Sequence, residues 1–197
     1  MQIEPMKGLE DVLLIHPDLH EDERGYFYEV FNEKEFNEKT GGKYDFHALQ
    51  ENESKSKAGV FRGLHFQKPP YEQAKLVRVL EGSVVDFAVD IRKDSPTFGK
   101  CVCALLTAEN RDQFFIPRGF AHGFLVCSFE AVFEYKCDNY YNKESEGGIR
   151  WDDENIKIIT SDNKEEEIQS IFSFVMDKIG PRLSEKDKNR ITTLKDL

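Results

Sequence analysis

With 197 residues the chain is long enough for one domain with a sizeable core, burying roughly 70% of the surface exposed by the unfolded chain. A net charge of −10 argues against non-specific nucleic-acid binding, and the 12% aromatic content argues against disorder. No run approaches the ~20 apolar residues of a membrane span, and the N-terminus lacks a signal-peptide core. A cytoplasmic protein is expected, with reduced, buried thiols at Cys101, Cys103, Cys127 and Cys137.

Leu9 to His16 is a short apolar run ending at Pro17 and predicts a first strand. A charged turn, His20 to Gly25, leads into Tyr26 to Phe31, whose alternation predicts a strand with Phe27, Glu29 and Phe31 on one face. Asn32 and Glu35 predict an N-cap and capping box, and Gly41-Gly42 closes that short helix. Residues 44–50 read as another strand, and Gln50 to Lys57 as a polar connection.

The stretch Gly59-Val-Phe-Arg-Gly-Leu-His-Phe-Gln67 predicts a strand closed by Pro69-Pro70. Alternation puts Arg62, Leu64 and Phe66 on one face and Phe61, Gly63, His65 and Gln67 on the other. Gly63 interrupts it, as happens where a ligand or another backbone approaches closely. For Arg62 and His65 to reach one substrate, alternation must break at Gly63, or Arg62 must serve a partner subunit.

Strands then follow in quick succession: Lys75 to Leu80, Val84 to Ile91, Lys100 to Leu106, Gln113 to Ile116, His122 to Val126 and Glu130 to Cys137. In the second of these Asp86 and Asp90 oppose Val85, Phe87, Val89 and Ile91. Turn signals every 8–12 residues point to an all-β sandwich or barrel. The absence of βαβ alternation and of a Gly-rich phosphate loop argues against a Rossmann or P-loop site. Ile168, Ile171, Phe172, Val175 and Ile179 form a helical stripe within 162–179, with Ser161 or Asp162 as cap and Gly180-Pro181 as stop. No second domain is apparent over residues 1–197.

Three groups can carry chemistry. His65 lies beside Arg62. The turn Pro117 to Gly119 delivers His122 to a strand, and Tyr135 precedes Lys136 and the pair Tyr140-Tyr141. A His base and a Tyr acid suit proton transfer at carbon. Lys75 can stabilise an enolate oxygen. Arg24, Arg62 and His122 can clamp a diphosphate.

The motifs Arg24-Gly-Tyr-Phe-Tyr-Glu29, Gln50-Glu-Asn52, Gly59 to Gln67, Gln73-Ala-Lys-Leu-Val-Arg78, Val89 to Gly99, Ile116 to Phe124 and Leu183-Ser-Glu-Lys-Asp187 follow one another in a familiar order. Together they resemble the dTDP-4-dehydrorhamnose 3,5-epimerase family of cofactor-free, cupin-type nucleotide-sugar epimerases, over residues ~10–158 and again at 183–188. The resemblance implies a cupin-like jelly roll with short peripheral helices, no cofactor, and a dTDP-linked 4-keto-6-deoxy sugar as substrate in deoxysugar biosynthesis. It implies His65 as general base, Asp187 as the carboxylate orienting it, Lys75 near the C4 oxygen and Tyr135 as the acid on the opposite face. It implies substrate-binding roles for Arg24, Glu29, Gln50, Asn52, Arg62, His122, Tyr140, Glu146 and Lys186. A homodimer exchanging N-terminal strands is part of the same expectation.

Two departures stand out. The segment Thr160 to Pro181, with its predicted helix, replaces the family's short Trp-Pro-containing link, and Glu51 stands where Asp is usual. Asp86 is an alternative partner for His65. Epimerisation at C3 alone, or of a GDP- or CDP-linked sugar, would need hardly different motifs. A metal-dependent cupin is a second class, since Pro117-x-Gly119-x-x-His122 fits a cupin's second metal motif. Its first motif wants two His and a carboxylate, where His65-Phe66-Gln67 supplies one His. A non-catalytic sugar-nucleotide-binding cupin would leave the proton-transfer residues without a task.

Overall fold

Period-two alternation along many short segments gives each strand two faces to bury, and the chain meets that need with two packed sheets. The structure is a computed structural model and describes residues 1–159 and 165–197. Its strands are β1 (Gln2–Met6), β2 (Leu9–His16), β3 (His20–Asp22), β4 (Gly25–Phe27), β5 (Gln50–Lys57), β6 (Phe61–Gln67) and β7 (Lys75–Glu81). They continue with β8 (Ser83–Asp90), β9 (Lys100–Thr107), β10 (Gln113–Ile116), β11 (Phe120–Val126), β12 (Glu130–Cys137), β13 (Glu146–Gly148) and β14 (Lys157–Ile159). The α-helices are α1 (Glu33–Lys39), α2 (Glu165–Lys178) and α3 (Glu185–Lys188).

One sheet runs β1-β2-β10-β7-β12-β5 and the other β13-β6-β11-β8-β9-β14, while β3 and β4 form a separate hairpin. Within the sheets, neighbours pair antiparallel except β14, which lies parallel to β9. This is the jelly-roll arrangement expected of the sequence.

Three apolar layers hold it together. Between the sheets Leu14, Val77, Phe114 and Phe133 meet Val84, Ala88, Val102 and Phe124. On the outer face of the β8 sheet, Val85, Phe87, Val89, Cys101 and Cys103 are covered by Ile168, Ile171, Phe172 and Val175 of α2. On the outer face of the other sheet, Leu13, Ile15, Leu76 and Phe115 are covered by Phe36 and Phe46. The four cysteines are not joined in disulfides; Cys101, Cys103 and Cys137 are buried and Cys127 is half-buried just beyond β11.

The predicted helix at 33–39 forms as read, with Asn32 Oδ1 accepting from the Glu35 amide. The helical stripe in the C-terminal third forms α2, which ends at Gly180 in the left-handed region. The expected cap at Ser161 or Asp162 lies outside the described residues.

Three expectations are corrected. Of the run 26–31 only Tyr26 and Phe27 are strand, at the end of β4. Phe27 is exposed, whereas Phe31 packs on Phe36 and Phe46, so the two do not share a face around Glu29. Residues 44–49 are not a strand. Phe46 pairs its backbone N–H and C=O with the Asn37 amide side chain, which satisfies them without a neighbouring strand. Gln50 to Lys57, read as a connection, is the edge strand β5, paired along β12. Its inward row is Gln50, Asn52, Ser54 and Ser56 and its outward row Glu51, Glu53, Lys55 and Lys57. The period of two was present as uncharged polar against charged residues, not as apolar against polar.

Candidate active site

The inner rows of the sandwich are apolar at one end and turn polar toward the other. On β7 the row Val79 and Val77 continues to Lys75, and on β12 Ala131 and Phe133 lead to Tyr135. On β11 Phe124 is followed inward by His122, and on β8 Asp86 lies between Val84 and Ala88. The polar ends surround a cavity of about 500 Å³. Of the expected site residues, Arg62, His65, Lys75, His122, Tyr135, Lys186 and Asp187 line it.

Arg62 and His65 share that cavity because β6 does not alternate ideally. From Arg62 to His65 the strand takes three steps, while its partner β11 takes two, from Phe124 to His122. The extra residue is a bulge at Gly63 and Leu64, and it turns both polar side chains inward while Phe61 and Leu64 join the outer core. Gly63 holds φ +143, and a Cβ there would lie 2.6 Å from the Cα of Gly123. The close approach at Gly63 is therefore to another backbone.

Asp187 arrives from the far end of the chain. Ile179 and Gly180 sit over Gly59, where a Cβ would meet them at 2.6 and 2.9 Å. The Arg182 amide donates to the Gly59 carbonyl, and the Phe61 amide donates to that of Arg182. Ser184 then caps α3, and Asp187, on that single turn, accepts from Ser184 Oγ at 2.8 Å. His65 Nε2 donates to Asp187 Oδ1 at 2.7 Å. Burial alone would raise the Asp187 carboxyl. The His65 and Ser184 hydrogen bonds and the Arg190 charge more than offset it, so Asp187 titrates below the usual carboxylate range. With Nε2 committed, Nδ1 is the basic nitrogen, and it has no hydrogen-bond partner among the described residues.

Asp86 takes a different partner: His122 Nε2 lies 2.9 Å from its Oδ1. Both are buried, which favours the neutral form of each, holding His122 below and Asp86 above its ordinary range. Lys75 has no ion-pair partner among the described residues. Its ammonium lies 5.8 Å from the Tyr135 ring centroid, and desolvation lowers its pKa. Desolvation likewise raises the Tyr135 phenol, which keeps its proton at neutral pH. Among the described residues no group of three or more His, Cys, Asp or Glu is placed to hold a metal ion.

The remaining expected residues stand at the rim or away from it. Glu146 on β13 accepts from Lys186 and from the Tyr141 hydroxyl. Gln50 donates to Asn52 and accepts from the Tyr141 amide. Asn52 Nδ2 is buried without a partner. Tyr140 is exposed beyond β12. Arg24 and Glu29 are outside the cavity: Arg24 pairs with Asp22 on the exposed hairpin, and Glu29 accepts from Asn32. Arg182 and Ser184 also reach the cavity and were not foreseen. Ser184 was legible as the cap of Ser184-Glu-Lys-Asp187.

A family model described as dTDP-4-dehydrorhamnose 3,5-epimerase matches residues 6–196. The chain is 56% identical over 148 residues to the dTDP-4-dehydrorhamnose 3,5-epimerase of Shigella flexneri, covering 75% of this chain and 81% of that one. It is similar to a solved structure of that enzyme from Elizabethkingia anophelis, at 49% identity and a TM-score of 0.81, covering 100% of this chain and 97% of the other. A dTDP-6-deoxy-D-glucose-3,5-epimerase from Legionella pneumophila, solved in complex with dTDP-4-keto-L-rhamnose, is 41% identical with a TM-score of 0.82, over 98% and 93% of the two chains. A match spanning nearly the whole length, on a fold that brings one basic imidazole, one phenol and one unpaired lysine into a single cavity, places the chain in the dTDP-4-dehydrorhamnose 3,5-epimerase family.

Proposed function

We propose that the residues of this cavity carry out the family's reaction, epimerisation at C3 and C5 of dTDP-4-dehydro-6-deoxy-D-glucose to dTDP-4-dehydro-L-rhamnose. The enzyme is an isomerase of dTDP-rhamnose biosynthesis. Both carbons flank the C4 ketone, so loss of either proton gives an enolate whose charge rests on the C4 oxygen. His65 Nδ1 takes the proton, and Asp187 orients the ring and stabilises the imidazolium that forms. Lys75 lies against the developing enolate oxygen, where a cation in a partly desolvated cavity is worth more than in water. Tyr135, protonated at neutral pH, returns a proton from the other face. Arg62 and His122 hold the diphosphate and sugar, with Lys186 and Glu146 at the rim.

The observation that carries this reading is the His65–Asp187 pair, which leaves one imidazole nitrogen free beside Lys75 and Tyr135. Incubation with dTDP-4-keto-6-deoxyglucose in D2O, followed by NMR, is expected to place deuterium at C3 and C5. Label at C3 alone would make the chain a 3-epimerase, and no label would remove the catalytic reading.

Arg24 and Glu29 act in this proposal on the cavity of a second copy, in a homodimer that exchanges N-terminal strands. In its support, neither residue reaches its own cavity, and the hairpin carrying Arg24 exposes Tyr26 and Phe27. Gln50, Asn52 and Tyr140 serve the nucleoside, and the unpartnered Asn52 amide is free to donate to a ligand. Trans-complementation checks the exchange. Arg24→Ala and His65→Ala chains, each inactive or weak alone, are expected to regain activity when unfolded and refolded together. If the mixture is no more active than the sum of its parts, Arg24 serves its own chain.

A further inference from the structure

The Asp187 carboxylate has a third neighbour besides His65 and Ser184. Arg190, one helical turn on, places Nη2 3.5 Å from Asp187 Oδ1, the same oxygen that receives the His65 proton. At that distance the contact is a charge contact more than a hydrogen bond. Both side chains are nearly out of solvent, Arg190 at 12% and Asp187 at 5% exposure, so water screens their interaction little. The guanidinium lies where a side chain on residue 148 would stand, since a Cβ on Gly148 would come within 2.4 Å of Arg190 Nη1. Gly148 is itself paired with His65 in the sheet, so the space it leaves lies directly behind the imidazole–carboxylate pair. Arg190 Nε is buried with no hydrogen-bond partner. A guanidinium placed there forgoes hydration without full return in hydrogen bonds, and what it gains is its charge beside Asp187.

We propose that Arg190 is a positioning residue for the His65–Asp187 pair: its charge, seated in the space left by Gly148, keeps Asp187 ionised and sets the pH at which His65 becomes available as a base. The proposal rests on the reading of His65 as that base. A cation behind the carboxylate weakens the pull of Asp187 on the imidazolium proton. Removal of the cation is therefore expected to strengthen that pull and to narrow the pH range over which the base is free.

The other charged groups around the pair do not duplicate this effect. Glu146 and Lys186 form their own ion pair, and Glu185 and Lys188 form another at the surface. Arg62, Lys75, His122 and Arg182 line the cavity itself. Arg190 approaches from behind the carboxylate, where substrate does not displace or neutralise it.

The test compares Arg190→Gln and Arg190→Lys with the unchanged protein. Two quantities are followed: the midpoint of the His65 ring by nitrogen-15 NMR titration, and the acid limb of kcat/KM for epimerisation. Arg190→Gln is expected to raise both by about 0.5–1 pH unit, and Arg190→Lys by less than about 0.3. A ring midpoint unmoved in Arg190→Gln overturns the proposal, as does an equal shift in the two variants, since a purely structural role would not follow charge. If the ring midpoint moves and the kinetic limb does not, the coupling to Asp187 stands and the reading of His65 as base falls. Should Arg190→Gln fail to fold, citrulline at position 190, introduced by ligating a synthetic C-terminal peptide, keeps the shape without the charge. The same rise in ring midpoint is then expected, and its absence overturns the proposal.

Discussion

His65→Ala is expected to lower kcat by about 10²- to 10⁴-fold and to abolish solvent deuterium exchange at both carbons, with dTDP affinity changed by less than about threefold. The magnitude follows from the loss of a positioned general base. Among the described residues that line the cavity, the other imidazole, His122, is buried with Nε2 committed to Asp86, and the proposal assigns Lys75 to the enolate oxygen. Nucleotide affinity survives because Arg62 hydrogen-bonds Ser56 and does not lean on the imidazole. Deuterium wash-in followed by NMR and calorimetric titration with dTDP measure the two quantities separately. Exchange at near the unchanged rate would mean that His65 is not the base. Loss of exchange together with loss of dTDP binding would mean that its role is in holding the nucleotide.

Gly63→Ala is expected to cost about 2–6 kcal/mol of stability and to remove most activity. Two independent penalties meet at this residue. An L side chain at φ +143 is strained by about 1–3 kcal/mol. A methyl placed 2.6 Å from the Gly123 Cα presses on backbone with no flexible end to yield, a further overpacking cost of about 1–3 kcal/mol. For a chain of this length the melting temperature should fall by about 5–15 °C. The functional loss has a separate origin. The bulge at Gly63 is what brings Arg62 and His65 into one cavity, so relief of the clash by a change in register would turn one of them away. Thermal melting and kcat/KM on the folded fraction distinguish the two effects. A Gly63→Ala variant with unchanged melting temperature would show that the strands separate there at little cost.

Much of the sandwich could be read from alternation alone. Strands β7, β8 and β12 carry apolar inner rows, and their bounds lie within a few residues of those expected. The reading failed where burial and pairing part company. Tyr44 and Phe46 are apolar enough to suggest a strand, yet they pack on α1 and Phe115, and Asn37 serves the Phe46 backbone. The edge strand β5 buries little, so its period of two is written in charge and escapes a search for hydrophobicity. In the site, the motif residues from β6, β7, β11 and β12 converge because inner rows of neighbouring strands must converge. Ideal alternation placed Arg62 and His65 apart, and only the register against β11 shows the extra residue that unites them. The choice between Asp86 and Asp187 was open for the same reason. Strand phase says which face a side chain takes, not which of two histidines it meets there. The Arg190 contact was not foreseen, since nothing local marks a glycine as making room for a side chain 42 positions further on.

The His65–Asp187 bond spans 122 positions of sequence. Strands β1 to β13 can be synthesised and begin to pair while that aspartate is not yet made. The imidazole therefore meets its carboxylate only after the strands that build the sandwich have been made. The sandwich strands can thus pair before the His65–Asp187 bond is completed, which requires the segment around Arg182 to dock across Gly59 and Phe61. A chain cut just before Asp187 would keep most of the residues that line the cavity and lose the carboxylate that His65 meets there.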